Sequence, residues 1–261
     1  MQRHCTVEIK KNTVIKTASP DLMRVEVEKT RRAYKIAEDC GLFRVPEVLD
    51  YDEVRGIAVF ERLNGIVPIR DAVSWGEAYN MVADKLGKTL AIIHRKLILP
   101  SDMIVHLPTS LQFSGNEVFL HGDLSVYNVL IDDSMRKITI IDWQMTNVFG
   151  GAATYGTRYF DLVFFIANLY NRPTTQYLFN DPVLPVATKL LEAYFKEAAV
   201  EYEGDKFSFY AQNYFSLVKL LLNRNAEWHR RLLLFRSNEM IKNFMHLVPN
   251  LLNKKKVNTG E

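Results

Sequence analysis

Three oxygen-bearing side chains stand in the middle of the sequence at spacings that suit phosphoryl transfer. Asp123 lies two residues after His121, Asn128 follows five residues later, and Asp142 ends a β-branched run. In this chemistry one carboxylate orients the attacking hydroxyl, while an Asn and a second Asp ligate magnesium beside the phosphates. The spacing therefore predicts Asp123 as the catalytic carboxylate and Asn128 and Asp142 as metal ligands.

The residues between the two predicted metal ligands read as a β-hairpin. Residues 129–131 form a short apolar run, residues 132–137 a polar turn, and residues 138–141 a β-branched run. Asn128 and Asp142 flank this hairpin, which should bring them together. The alternative is a surface Asp, a turn Asn and a strand-end Asp that bind no metal.

These motifs resemble those of the aminoglycoside phosphotransferases and choline kinases, the small-molecule branch of the protein-kinase-like superfamily. His-Gly-Asp at residues 121–123 and Ile-Asp-Trp at residues 141–143 carry the likeness, which is most specific over residues 119–143. The resemblance implies an α+β, two-lobed fold. A reduced N-terminal β lobe would cover residues 1–64, and a larger, mostly helical lobe residues 65–261. It also implies ATP, or another nucleoside triphosphate, and Mg²⁺ as cofactors.

The N-terminal residues predict a strand that carries a functional lysine. Residues 6–9 and 13–17 read as a β-hairpin, and Lys16 lies near the end of its second strand. By the resemblance, Lys16 would pair with the nucleotide phosphates. A solvent-exposed lysine without a role is the alternative.

A helix is predicted after this hairpin, from Asp21, acting as its cap, to Cys40, with Gly41 ending it. By the resemblance, one glutamate near its start should pair with the strand lysine. Glu26 and Glu28 both lie there. The Val-Glu-Val-Glu-Lys pattern favours Glu28, with Glu26 as the competitor.

A hinge between the lobes is expected after a buried strand over residues 56–60. By the resemblance, Glu61, Arg62 and Leu63 would bind the adenine edge through their backbone N–H and C=O groups. Because the backbone makes these contacts, the identity of the side chains says little.

Three further polar residues are interpreted as structural. A long helix is predicted over residues 77–96, in which His94 reads as a core histidine. His121 is expected to orient the backbone of the catalytic loop. By the resemblance, Asp161 would start a buried helix and accept hydrogen bonds from the backbone of the catalytic loop; the alternative is that it only caps a helix over residues 162–170.

The last third of the chain should select the acceptor. Helices are predicted over residues 186–199, 207–222 and 227–247, and from residue 205 onward ten Lys and Arg stand against four Asp and Glu. This excess of basic residues favours a neutral or anionic acceptor over a polycationic aminoglycoside. Sugars, sugar phosphates, amino alcohols and cell-envelope glycans are the expected classes.

The composition is that of an ordinary globular protein. The 261 residues carry a net charge of +3 and 48% hydrophobic residues, and the two cysteines suggest neither a disulfide framework nor a zinc site. No apolar run is long enough to span a membrane, and no signal-peptide core is present. A cytoplasmic enzyme is expected, with a small-molecule partner and no nucleic acid.

The glycine-rich phosphate loop of kinases has no counterpart near Lys16, since the first glycine is Gly41. Lys10 and Lys11, in the hairpin turn, could replace it in part with positive charge. Backbone N–H groups hold phosphates more closely than mobile ammonium groups do, so weak nucleotide affinity is expected.

Two other functions stay open at this point. One is a pseudokinase-like binding module without catalysis, suggested by the missing glycine-rich loop. The other is a small atypical protein kinase. Trp143 disfavours it, and so does the short segment between Asp142 and Asp161, which lacks an Ala-Pro-Glu motif.

Overall fold

The computed structural model describes residues 5–72, 77–113, 115–132, 137–145, 152–170 and 183–223. These residues combine β-sheets with long helices, which confirms the predicted α+β class. None of the helices within these ranges is both long and apolar enough to cross a membrane.

The strands, in chain order, are β1 (Thr6–Ile9), β2 (Thr13–Thr17), β3 (Phe43–Arg44), β4 (Val48–Asp52), β5 (Ile57–Glu61), β6 (Ile66–Pro68), β7 (Glu117–Phe119), β8 (Val129–Asp132), β9 (Ile138–Ile140) and β10 (Tyr155–Thr157). The helices are α1 (Pro20–Cys40), α2 (Ile69–Ala72), α3 (Glu77–Lys96), α4 (Tyr159–Tyr170), α5 (Val183–Ala198) and α6 (Gly204–Asn223).

The chain divides into two compact units. The first comprises Met1–Ala72, Ile93–Leu107 and Val118–Gly156, and the second Val73–Ile92, Pro108–Glu117 and Thr157–Glu261. The hairpin that carries the catalytic motif therefore groups with the N-terminal sheet. The lobes predicted over residues 1–64 and 65–261 remain a prediction.

The first unit contains an antiparallel sheet in the order β1-β2-β5-β4. The hairpin predicted over residues 6–9 and 13–17 is confirmed, with Lys16 opposite Val7 on one side and Ala58 on the other. Lys16 thus lies on an inner strand of the sheet, where its backbone is held from both sides.

Helix α1 begins one residue before the predicted start. Ser19 is the N-cap residue, its side chain makes no capping hydrogen bond, and Pro20 takes the first helical position. Asp21 lies in the first turn, so the prediction that it caps the helix was wrong. Proline suits this position because it has no N–H group to satisfy and its φ is already helical. Gly41 ends the helix as predicted, with a left-handed φ of 66°.

One face of α1 packs against the sheet of the first unit. Met23 and Val27 are buried against Ala58 and Phe60 of β5. Burying each large apolar side chain contributes about 1.5–3 kcal/mol. This apolar contact fixes which face of α1 turns toward the sheet.

The hairpin predicted behind the catalytic motif is confirmed as β8 and β9. The two strands are antiparallel, with Val129 opposite Ile140, and they lie in a second sheet of order β3-β9-β8-β6. The N–H of Ile141 donates to the carbonyl of Asn128 at 3.0 Å. Asn128 and Asp142 therefore leave the same end of the hairpin.

The second unit is built from helices, and the bounds of α3 match the prediction. Gly87 of α3 lies against α5: a Cβ at this position would come within 2.4 Å of the Leu190 carbonyl oxygen, so only glycine fits. Helices α5 and α6 begin three residues before the predicted starts. The helix predicted over residues 227–247 lies outside the described residues.

Asp161 is fully buried in α4, which begins two residues earlier, at Tyr159. The alternative, that Asp161 only caps this helix, was therefore wrong. At the start of this helix the ring of Tyr159 packs against those of Phe207 and Tyr210, and the backbone is already helical before the carboxylate.

Candidate active site

Lys16 forms the centre of a charged cluster in the first unit. Its Nζ lies 2.5 Å from Oε1 of Glu26 and 2.9 Å from Oδ1 of Asp142, and it faces the ring of Phe60 at 5.7 Å. Its side chain is only 14% exposed. Three elements, β2, α1 and the residues after β9, thus converge on one ammonium group.

The lysine's partner is Glu26, so the preference for Glu28 was wrong. Glu26 is buried, whereas the side chain of Glu28 is 26% exposed and accepts a hydrogen bond from Nε of Arg32 at 2.6 Å. Two residues along a helix correspond to a rotation of about 200°, so only one of the glutamates can face the sheet. The packing of Met23 and Val27 on the sheet selects Glu26.

The electrostatics of the cluster keep the lysine charged. Burial by itself lowers the pKa of Lys16, but the neighbouring carboxylates of Glu26 and Asp142 outweigh it and raise the pKa above the usual range for lysine. Burial raises the pKa of Glu26, and the charge of Lys16 offsets part of that rise. Lys16 is therefore a fixed positive charge suited to an anionic ligand such as a phosphate.

Asp123 and Asn128 are joined directly within the catalytic loop. Nδ2 of Asn128 donates to the backbone carbonyl of Asp123 at 2.8 Å and to its Oδ2 at 3.0 Å. Because Nδ2 faces Asp123, the Oδ1 atom of Asn128 is the one available to ligate a cation. The loop between Asp123 and Asn128 is closed by these two bonds, which fixes the carboxylate relative to the start of β8.

His121 holds the loop from within the core. The buried ring accepts a hydrogen bond at Nδ1 from the N–H of Asp123 at 3.2 Å, and Nε2 donates to the carbonyl of Ile141 at 3.2 Å. The ring also lies 4.6 Å from that of Trp143, which is itself buried. With both nitrogens engaged by the backbone, His121 has the geometry of a scaffold.

Two backbone positions near the site have a left-handed conformation. Gly122 has a φ of 94°, and a Cβ there would lie 2.9 Å from Sδ of Met145, so a larger residue is doubly excluded. Asp142 has a φ of 62°, which is uncommon for a residue with a side chain. Conformations of this kind are costly and cluster at functional sites. At Asp142 the conformation accompanies the contact of its carboxylate with Lys16.

The predicted hinge is only partly available for binding. The N–H of Glu61 donates to the carbonyl of Glu47 at 2.8 Å, and that of Arg62 to the carbonyl of Asn12 at 3.0 Å. The expectation that these two N–H groups bind adenine was wrong, because neighbouring segments already engage them. Within the described ranges no backbone hydrogen bond engages the Leu63 N–H, which with the carbonyl groups remains a candidate.

The residues present fit a magnesium ion that is shared with phosphates. Magnesium is usually held by one or two carboxylates together with waters and substrate phosphates. Asp142, whose side chain is 37% exposed, and Asn128 supply one carboxylate and one amide oxygen. In the described part of the chain no group of three or more His, Cys, Asp or Glu could hold a metal without such a substrate.

Sequence reasoning missed Lys29. This lysine is fully buried and donates to the carbonyl of His121 at 2.6 Å. A lysine three residues after Glu26 lies on the same face of α1, which was a usable signal once Glu26, and not Glu28, was known to face inward.

Comparison with known proteins finds a family model that is similar to the catalytic segment. Residues 99–201 match the model of the phosphotransferase enzyme family. The predicted resemblance is confirmed by this match, which includes the catalytic loop and the hairpin behind it. No curated protein matches the sequence significantly.

Solved structures extend the likeness to the whole fold. A glucosamine kinase in complex with glucosamine, ADP and inorganic phosphate has a TM-score of 0.58 at 14% identity, covering 96% of this chain and 81% of its own. A choline/ethanolamine kinase family protein from Mesorhizobium loti has a TM-score of 0.56 at 16% identity, covering 92% and 85%. An amicoumacin kinase with bound AMP-PNP and Ca²⁺ has a TM-score of 0.51 at 12% identity, covering 94% and 88%.

These matches confirm the predicted two-lobed, protein-kinase-like fold class. The family match at residues 99–201 agrees with the prediction that the protein is a phosphotransferase.

Proposed function

We propose that this protein transfers the γ-phosphoryl group of ATP to a hydroxyl group of a small molecule, in a magnesium-dependent reaction. The observation that carries the proposal is the contact of Lys16 with both Glu26 and Asp142. A buried ammonium group held between two carboxylates has little use in packing, but it is well suited to hold phosphates beside a metal ligand.

The nucleotide would be bound by charge at one end and by the backbone at the other. Lys16 would pair with the phosphates, while Leu63 and the carbonyl groups near Glu61 would pair with the base. Asn128 and Asp142 would hold Mg²⁺, which would neutralise part of the charge on the phosphates. Two structural relatives support this use of a nucleotide and a divalent cation. The glucosamine kinase structure contains ADP, and the amicoumacin kinase structure contains AMP-PNP and Ca²⁺.

Asp123 would act on the acceptor. Its carboxylate would accept a hydrogen bond from the attacking hydroxyl and orient it for in-line attack on the phosphoryl group, with no covalent intermediate. The hydrogen bond from Asn128 would hold the carboxylate in place during this step. His121 would keep the loop backbone fixed and would take no part in proton transfer.

The acceptor class follows from charge and from the relatives. The basic excess after residue 205 favours a neutral or anionic hydroxyl compound, although Lys206, the first of these cations, is offset by Glu203 at 2.5 Å. The glucosamine kinase and the choline/ethanolamine kinase family protein support a sugar or an amino alcohol. We favour these classes over an aminoglycoside.

A turnover screen tests the proposal. ADP formation would be measured with Mg·ATP and a panel of sugars, sugar phosphates, amino alcohols and aminoglycosides, and product mass would identify the phosphorylated acceptor. We expect one chemical class to raise ADP formation above the rate with water alone and to gain one phosphoryl group. If thermal shift shows nucleotide binding but no compound is phosphorylated, a binding module without catalysis becomes the better explanation.

A further inference from the structure

The most unusual group outside the reaction scheme is the ammonium group of Lys29. Lys29 is fully buried, and its Nζ donates to the backbone carbonyl of His121 at 2.6 Å. The two residues lie 92 positions apart in the sequence. Removing an ammonium group from water is costly unless hydrogen bonds compensate for the loss. A charge-assisted bond of this kind between α1 and the catalytic loop therefore needs an explanation beyond packing.

The carbonyl that Lys29 holds belongs to a residue that positions Asp123. The ring of His121 already accepts the N–H of Asp123 at 3.2 Å, and only Gly122 separates the two residues. Lys29 fixes the backbone of His121, and the ring of His121 fixes the backbone of Asp123. The position of the Asp123 backbone is thereby linked to helix α1.

The same helix also positions Lys16. Glu26 lies three residues before Lys29, on the same face of α1, and binds Lys16 on β2. Residues three apart on an α-helix have a fixed separation. One turn of α1 therefore contacts both the lysine proposed for the phosphates and the loop that carries the proposed catalytic carboxylate.

We propose that Lys29 is a positioning residue, which sets the distance between Lys16 and Asp123 by holding the carbonyl of His121 to α1. This inference rests on the proposed function, because the distance matters only if phosphates and an acceptor meet at these two residues. Misplacement by about 1 Å can lower turnover by about 100-fold even when binding is intact.

Three substitutions in α1 separate this role from a general contribution to folding. Lys29→Met keeps a linear side chain of similar length and removes the donor. Lys29→Arg keeps a buried cationic donor but introduces a wider group, which should displace the carbonyl. Thr30→Val is the matched control: the buried hydroxyl of Thr30 donates only to the carbonyl of Glu26 within the same helix, at 2.7 Å.

Hydrogen–deuterium exchange of the full chain reports on the loop independently of activity. We expect Lys29→Met to raise exchange in the peptide over residues 119–128 while the strands β2 and β5 stay protected. Thr30→Val should leave the loop unchanged. Faster exchange throughout the first unit, or no change in the loop, would overturn the proposal.

Steady-state kinetics with Mg·ATP and the acceptor found by the panel test the consequence for the reaction. We expect kcat of Lys29→Met to fall by about 10- to 100-fold with KM for Mg·ATP changed less than about threefold. The kcat of Lys29→Arg should lie between those of Lys29→Met and the wild type. Equal kcat in all variants, or losses confined to KM, would contradict a positioning role.

Two further outcomes keep the two proposals separate. If the wild type phosphorylates no acceptor, the proposed function fails, while the exchange experiment still decides whether Lys29 holds the loop. If Lys29→Met does not fold, Lys29→Arg decides: lower kcat with faster loop exchange supports the proposal, and wild-type values for both overturn it.

Discussion

The two units of the molecule bury different kinds of polar group. The first unit buries ionic groups that bind one another or the backbone, namely Glu26, Lys29 and the partly exposed Lys16. Apart from the carboxylate of Asp161, the second unit buries phenols among other rings, with Tyr159 and Tyr210 packed against each other at 6.0 Å. Buried ion pairs contribute little to stability, whereas buried aromatic surface contributes much.

The two units also differ in what raises the pKa of their buried groups. In the first unit burial lowers the pKa of Lys16, but two opposite charges outweigh this and raise it, an arrangement that suits a charged ligand. In the second unit burial raises the pKa of Tyr159 to about 12, with the charge of Glu203 adding to the effect, which reflects the packing of a neutral group. The charged cluster proposed to hold the phosphates lies in the first unit, whereas the phenols of the second unit contribute to packing.

The largest expected effect comes from Asp123. Asp123→Asn should lower turnover by about two to four orders of magnitude, because the amide cannot accept the proton of the attacking hydroxyl. Nucleotide binding and thermal stability should stay near the wild-type values, and initial rates of ADP formation with the identified acceptor measure the effect. Asp102→Asn is the control, since this exposed carboxylate of the same unit pairs with Arg24 and has no place in the proposed site. Near-normal turnover in Asp123→Asn would remove the residue from its role.

A smaller effect should separate the two glutamates of α1. Glu26→Gln should lower kcat/KM for Mg·ATP by about 10- to 100-fold, because Lys16 loses a buried charged partner worth about 1.5–3 kcal/mol. Glu28→Gln should change kcat/KM by about twofold at most, since a partly exposed pair with Arg32 is worth about 0.3–0.5 kcal/mol. Steady-state kinetics compare the variants. Equal losses in both would mean that the orientation of α1 described above does not govern the site.

The smallest expected effect is a loss of stability of the second unit at alkaline pH. The folded-state pKa of Tyr159 is raised from 10.0 to about 12, so the stability contributed by its neutral phenol is present below pH 10 and is lost as pH rises toward 12. Tyrosinate absorbance and circular dichroism, followed together, should show late ionisation coupled to loss of helix. Tyr159→Phe should weaken this coupling without changing turnover. Ionisation of all tyrosines near pH 10 with the helices intact would contradict the packing described for this unit.

Local features of the fold could be predicted from the sequence. The hairpin of β8 and β9 follows from two apolar runs around a polar turn, and the end of α1 follows from Gly41. Both depend on contacts between near neighbours in the chain. The site residues were predicted for other reasons: Asp142 from its spacing relative to Asp123 and Asn128, and Lys16 from the resemblance to a known family.

Features that depend on distant contacts were wrong or missed. The choice between Glu26 and Glu28 depends on the rotation of α1 on the sheet, which apolar residues of β5 determine. The N–H of Arg62 in the predicted hinge donates a hydrogen bond to the carbonyl of Asn12, fifty positions earlier in the chain. The partner of Lys29, His121, is still more remote, 92 residues away. A periodic pattern in the sequence shows which residues share a face of a helix. It does not show which distant residues that face contacts in the folded chain.

Calorimetric titration of nucleotide with and without Mg²⁺ tests most directly the central claim, that the charged cluster of the first unit is a nucleotide and metal site. The wild type should bind ATP more tightly when Mg²⁺ is present. Asp142→Asn should abolish that difference, because it removes the metal-binding charge while Asn tolerates the left-handed backbone at this position. Glu28→Gln, a charge change outside the cluster, should preserve the difference. Magnesium-dependent binding that persists in Asp142→Asn, or binding by the wild type that ignores Mg²⁺, would contradict the account.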